Sequence, residues 1–255
     1  MRKFVLLGAG LMVSLALAAP TASAQPEPVT CFNLASFGGP EGGPPELLQA
    51  TVVGTEGNDK LVGTEGPDVI AGLGGNDKIS GLGGDDVICG GLGNDHIRGG
   101  DGRDAIVGDT GQSFIQGLGG MNVPGGNDKI FGGEGDDGIG GEGGRDLIRA
   151  GAGNDFATGQ MARDVVFGGD GDDELFGGPA RDNVSGGPGN DFVVGNFGSD
   201  RLLGGTGDDG LVGDAFGAPE EGAFDVCNGQ QGHDLALPGS CDRANQIEGD
   251  LSLGP

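Results

Sequence analysis

The chain has 255 residues, 62 of them glycine, with no Trp or Tyr, and a formal charge of −26. Collagen is excluded because its period of three is absent, and a strictly spaced aliphatic residue argues against the disorder that so much glycine otherwise signals. Such an acidic chain repels nucleic acid and anionic membrane surfaces, and no segment beyond the N-terminal one is apolar enough to span a bilayer.

The first 24 residues read as a secretory signal peptide. Arg2 and Lys3 form a basic start, Phe4 to Ala19 is apolar, and Ala22-Ser23-Ala24 is a small-residue cleavage site before Gln25. Loss of Arg2 and Lys3 takes the formal charge to −28. The expected mature protein is secreted and extracellular. Residues 25–53 form an irregular, Pro-rich N-terminal cap, with Thr51-Val52-Val53 as a first partial strand. Four cysteines suit an oxidising compartment. Three pairings are open; Cys31–Cys89 with Cys227–Cys241 is favoured, because each bond would fasten a cap to the body. No CxxC or clustered His supports zinc.

From Gly54 to Val212 a nine-residue unit, G-G-x-G-x-D-x-U-x with U a large aliphatic, repeats. Position 6 is Asp59, Asp68, Asp77, Asp86, Asp95 and Asp104, then Asp128, Asp137, Asp146, Asp155, Asp164, Asp173, Asp182, Asp191, Asp200 and Asp209. The missing aspartate is Ser113, in the unit Gly108 to Gln116. Position 8 is Leu, Ile or Val from Leu61 to Leu211, except Ala157. Six extra residues after that unit, roughly Gly117 to Asn122, are expected to bulge as a loop. Residues 213–255 read as a loop, Gly213 to Asn228, and a C-terminal cap. Within the cap Gly229, Gly232, Asp234 and Ala236 echo positions 1, 4, 6 and 8.

Each unit divides into a turn and a strand. Glycines at positions 1, 2 and 4 allow positive φ and close backbone approach. Positions 7 to 9 are too few for a helix, and as a strand they point the middle side chain to one face. A flattened coil with two units per revolution buries the aliphatics between two sheets. Isolated units have almost no core, so stability must come from stacking. Turns n and n+2 then lie about 4.8 Å apart, which puts the aspartates in two ladders. One runs Asp59, Asp77, Asp95, gap, Asp137, Asp155, Asp173, Asp191, Asp209. The other runs Asp68, Asp86, Asp104, Asp128, Asp146, Asp164, Asp182, Asp200. Neighbouring bare carboxylates at that spacing repel by roughly 1 kcal/mol in water and about 3–4 kcal/mol at an effective dielectric near 20, so a counter-ion is needed. Oxygen-only ligands and flexible turn carbonyls suit calcium better than magnesium, and soft metals have no ligands here.

The unit resembles the nonapeptide of the RTX, or haemolysin-type, calcium-binding β-roll. The resemblance covers Gly54 to Val212. It implies an all-β, right-handed parallel β-roll. It also implies several calcium ions, each between turns n and n+2 and held by both position-6 aspartates and by turn carbonyls. On that expectation six pairs in the first ladder and seven in the second are intact, Ser113 removes two sites, and thirteen divalent ions would bring +26. Ala162 and Ala180 alter the turns of Asp164 and Asp182.

No G-x-S-x-G, HExxH or Walker A pattern occurs, and G-x-G-x-x-G matches are by-products of the repeat. The expectation is therefore a non-enzymatic, secreted protein that folds on binding calcium and has a structural or interaction role. Two alternatives stand beside it. One is a surface for a cell-wall polymer, polysaccharide or ice, although aromatic sugar platforms are poorly supplied and the outward strand positions vary among Lys, Val, Phe, Arg and Ala. The other is an enzyme with its site in a terminal cap, where no nucleophile–base set is recognisable.

Overall fold

The computed structural model describes residues 30–32, 47–109, 125–214, 225–236, 241, 243–245 and 249–250. Strands alternate between two stacked parallel sheets, one of ten strands (sheet I) and one of eleven (sheet II), so each strand pairs with the strand two further on. In sheet I, Lys78–Gly83 lies between Lys60–Val62 and His96–Asp101. In sheet II, Val87–Cys89 lies between Val69–Ala71 and Ala105–Val107. This is the all-β parallel solenoid expected from the repeat. Val52–Val53 does open the array, paired in parallel with Val69–Ala71.

In sheet II most strands, such as Val87–Cys89 and Ala105–Val107, keep to the three residues of positions 7 to 9. Most in sheet I, such as His96–Asp101 and Val165–Asp170, run six residues and take in the first part of the next turn. In-register stacking explains this: the turn backbone also hydrogen-bonds its neighbour, as in Gly102 N–H to Glu134 O at 2.7 Å. Positive φ falls at positions 2 and 4, for example Gly91 and Gly93, and position 2 imposes it even on Leu73 and Leu82.

The core is a seam of position-8 side chains. Ile70, Ile88, Ile97, Ile106, Ile130 and Ile148 are fully buried, and Val166, Leu175, Val184, Leu202 and Leu211 continue the cluster. Burying each such aliphatic contributes about 1.5–3 kcal/mol. Ala157, also fully buried, keeps the seam closed at its one small residue.

The register crosses the spacing break in an unexpected way. His96–Asp101 pairs directly with Lys129–Glu134, and Ala105–Val107 with Gly138–Gly140. Asp95 and Asp128 are therefore 33 residues apart instead of 18. The excess is a whole unit plus the six extra residues, so neither sheet carries a rung between these strands. Ser113, Ile115 and the expected loop Gly117–Asn122 lie outside the described residues.

At the C-terminal end, Val226–Gln231 pairs with Arg201–Thr206, and Leu235–Ala236 with Gly210–Val212. A strand thus begins inside the stretch read as a loop. Cys227 occupies position 8 there, fully buried, and forms a disulfide with Cys241. Cys89 is also disulfide-bonded; the side chain of its expected partner, Cys31, lies outside the described residues. Thr30–Phe32 and Leu47–Gln49 form a separate antiparallel pair, and Thr30–Phe32 packs against Val87–Cys89.

Candidate metal centre: two carboxylate ladders

Position 6 ends the turn and begins the strand, so its backbone is fixed by sheet pairing. The Asp59 carbonyl accepts from Lys78 N–H at 3.0 Å, and the same bond recurs along the array. The side chain turns back under its own unit. Its Oδ1 accepts the main-chain N–H of the aspartate two units earlier: Asp59 to Asp77 at 2.8 Å, Asp77 to Asp95 at 2.8 Å, Asp146 to Asp164 at 2.8 Å.

Following these bonds gives two unbroken ladders. One runs Asp59, Asp77, Asp95, Asp128, Asp146, Asp164, Asp182, Asp200, Asp225. The other runs Asp68, Asp86, Asp104, Asp137, Asp155, Asp173, Asp191, Asp209, Asp234. All sixteen aspartates named from the sequence thus stand in the ladders, but the assignment after Asp104 is exchanged and the expected gap is absent. Gly108 serves as position 1 for Asp128, with 15 residues between Asp109 and Gly125, and this exchanges the parity. It also closes both columns, so no rung is left without a carboxylate. Asp164 and Asp182 are fully buried and stacked like the rest despite Ala162 and Ala180.

The second oxygen of each carboxylate is the chemically telling atom. From Asp77 to Asp200 every position-6 Oδ2 is buried and has no hydrogen-bond partner. A buried, unsatisfied acceptor costs about 1–3 kcal/mol, and more when charged. These atoms face position 1 of their own unit. A Cβ placed on Gly177 would lie 2.8 Å from Asp182 Oδ2 and 2.9 Å from the carbonyl oxygen of Gly195. The same two kinds of oxygen bound Gly159, at 2.5 Å from Asp164 Oδ2 and 2.8 Å from Gly177 O. A carboxylate oxygen and a carbonyl oxygen from the stacked turn converge at position 1, which in the nine-residue count is glycine in every unit but two, those of Val123 and Ala150. Among the described residues no three Asp, Glu, His or Cys side chains cluster as a metal site. A cation held here must therefore draw on main-chain carbonyls as well as carboxylates. Orphaned Oδ2 atoms beside carbonyls form an all-oxygen donor set that fits a hard divalent cation.

Electrostatics agree. Burial pushes Asp86 up to about 6, Asp173 to about 7, Asp128 and Asp137 to about 8 and Asp146 to about 9. The hydrogen bond from the preceding aspartate's N–H works against the rise, and neighbouring carboxylates add to it, as Asp164 and Asp128 do at Asp146. A bound cation would oppose both causes of the rise.

Several participants were missed in the sequence. Asp225 takes a ladder position because Asp225-Val226-Cys227-Asn228 is itself a D-x-U-x segment, disguised by seven inserted residues and by Cys in the aliphatic slot. Position 5 forms an outer ladder: Asn76 Oδ1 accepts from Asn94 N–H at 2.8 Å, and Asn94 Oδ1 from Asn127 N–H at 2.8 Å. The Asn/Asp preference there was legible, but as a turn preference, not as a stacking bond. At the break, Asp109 accepts from Gly126 N–H at 3.0 Å and Gly143 N–H at 3.3 Å, and Glu142 accepts from Gln160 Nε2 at 2.9 Å. Nothing in the spacing marks these two acids.

A parallel solenoid with an aliphatic seam and two buried carboxylate columns defines the class: an acidic β-roll whose turns are built for cations. The family profile described as RTX calcium-binding nonapeptide repeat (4 copies) matches residues 53–88, 81–115, 125–148, 140–175 and 176–211. The chain belongs to that family. No curated protein matches it.

Proposed function

We propose that this is a secreted calcium-binding protein that folds into its roll on taking up calcium and serves a structural or interaction role. The observation that carries the reading is the pair of buried rows of unpartnered Oδ2 atoms facing turn carbonyls. Each ion would use the position-6 aspartates of turns n and n+2 together with turn carbonyls. The two ladders offer eight stacked pairs each, ending at Asp225 and Asp234. Sixteen sites replace the thirteen expected from a broken ladder. The signal-peptide pattern of residues 1–24 and the Cys227–Cys241 disulfide support an extracellular setting. Calcium there is plentiful, and affinities around 10⁻⁴–10⁻³ M suffice for extracellular modules.

Isothermal calorimetry of the metal-stripped mature chain tests this. Calcium is expected to give folding heat with uptake near one ion per stacked pair, and magnesium at equal concentration to give little. Calcium addition that yields neither heat nor ordering overturns the reading.

A further inference from the structure

The outer face of sheet I contradicts the charge of the chain. Its outward columns at positions 7 and 9 hold no Asp or Glu, in a sequence with 39 acids and only 13 lysines and arginines; the acids of these strands, Asp101, Glu134 and Asp170, stand exposed at position 3, at the far end of each strand. Position 7 runs Lys60, Lys78, His96, Lys129 in consecutive parallel register. Position 9 runs Arg98, Phe131, Arg149, Phe167 beside it. Arg201 and Arg243 continue the position-7 column farther on. The strands of sheet II contain no Lys or Arg.

These cations are left out of ion pairing. Lys60, Lys78, Arg98, Lys129 and Arg149 are exposed, and among the described residues the one ion pair is His233 with Asp208, elsewhere on the roll. Like charges side by side on a sheet destabilise it, and a chain this rich in acid could have paired or dispersed them. The field is felt locally: burial, then Arg98, Lys129 and Lys78, hold His96 below the ordinary histidine range. The phenylalanines position the guanidinium groups. Arg98 and Arg149 lie 5.6 and 5.8 Å from the Phe131 ring centroid, and Arg149 lies 5.7 Å from that of Phe167. Cation–π contacts of this kind hold guanidinium groups in place, leaving their N–H forks to bind planar anions bidentately.

We infer that the outer face of sheet I is a docking strip for an extended, carboxylate-bearing polysaccharide. Charge complementarity selects an anionic occupant. The strip is narrow and linear, with one lysine or arginine on each of the five rungs from Lys60 to Arg149 at about 4.8 Å, which matches a polymer with charge spaced at the pitch of a sugar ring; an anionic bilayer would ask for cations spread in two dimensions. Single-stranded nucleic acid needs open aromatic faces for its bases, whereas Phe131 has a guanidinium from each neighbouring rung against it. Recognition through charge also removes the need for the Trp and Tyr platforms that the chain lacks. The strip contains no position-6 aspartate, so the inference is separable from the calcium reading.

The test is affinity electrophoresis and calorimetry of the mature chain at fixed saturating calcium, with hyaluronate as the carboxylated probe. Dextran, single-stranded DNA and vesicles rich in anionic lipid are the comparison arms. Hyaluronate binding is expected, weakening with salt, with no binding to dextran. The triple variant Lys78→Gln/Arg98→Gln/Arg149→Gln should weaken it about tenfold or more, a loss that corresponds to about 1.4 kcal/mol or more. The double variant Arg103→Gln/Arg145→Gln, which removes charge from turn position 5, should leave it unchanged. Circular dichroism and calcium uptake of both variants should match the parent, which separates loss of the strip from loss of the roll. The inference is overturned by no hyaluronate binding to a calcium-folded parent, by equal binding of the triple variant, or by stronger binding to DNA or vesicles.

Discussion

From Asp77 to Asp200 the two carboxylate oxygens of each ladder aspartate have different fates: Oδ1 accepts a neighbour's N–H, while Oδ2 is buried with no donor. The metal-free roll can avoid charge there only by keeping protons. Folded-state values of about 6 at Asp86 and about 9 at Asp146 lie above the 3.8 of the free carboxyl. A raised acid pKa means that the folded state binds more protons than the unfolded chain, so stability falls as pH rises. The contribution is complete below about pH 4 and is lost between about pH 6 and 9. Chelator-treated protein should therefore show β-signal by circular dichroism at pH 4–5 and lose it towards pH 8, while apparent calcium affinity rises over the same interval. Asp146→Asn separates the two roles. It keeps an acceptor at Oδ1, so the metal-free form near pH 5 should melt within about 1 kcal/mol of the parent. It should also lower calcium uptake by the one or two ions that share Asp146, read by metal analysis after dialysis.

The turn is the element on which stacking depends. Gly93 has φ of +128°, and a Cβ there would fall on the Gly75 carbonyl oxygen. Gly93→Val combines backbone strain of about 1–3 kcal/mol with that collision and should lower the melting temperature in calcium by more than 5 °C. The C-terminal turn has a covalent fastening instead. Cys227–Cys241 closes a 14-residue separation, worth about 3 kcal/mol in the chain-entropy account. Cys227→Ala/Cys241→Ala should speed hydrogen exchange in Val226–Gln231 and leave the central strands unchanged. The seam, the turn positions and the alternation of units between sheets were legible in the sequence because each is imposed by strict spacing. The six-residue strands of sheet I and the position-5 bonds were not, since they arise only when identical turns lie in register. The rung at Asp225 was hidden because Cys227 does an aliphatic residue's work.

At the scale of the molecule, stability is close to one-dimensional, each revolution depending on its neighbours. Successive ladder rungs are 18 residues apart, as from Asp146 to Asp164 and Asp155 to Asp173. Deleting 159–176 removes one revolution and preserves both ladders. The shortened chain should unfold cooperatively in calcium and bind about two ions fewer, measured by scanning calorimetry and metal analysis. The break was the feature least legible in sequence. Counting residues places six extra ones, but continuity of two carboxylate columns governs: Gly108 serves the turn of Asp128, and 15 residues lie between Asp109 and Gly125. The central claim is that a divalent cation, and not the aliphatic seam alone, holds these acidic turns closed at neutral pH. Limited proteolysis with parallel circular dichroism near pH 7.5, with chelator and then with excess calcium, tests it most directly. The account predicts a protease-sensitive chain without β-signal that becomes resistant and β-rich on calcium addition. Equal resistance and equal β-signal in both conditions would contradict it.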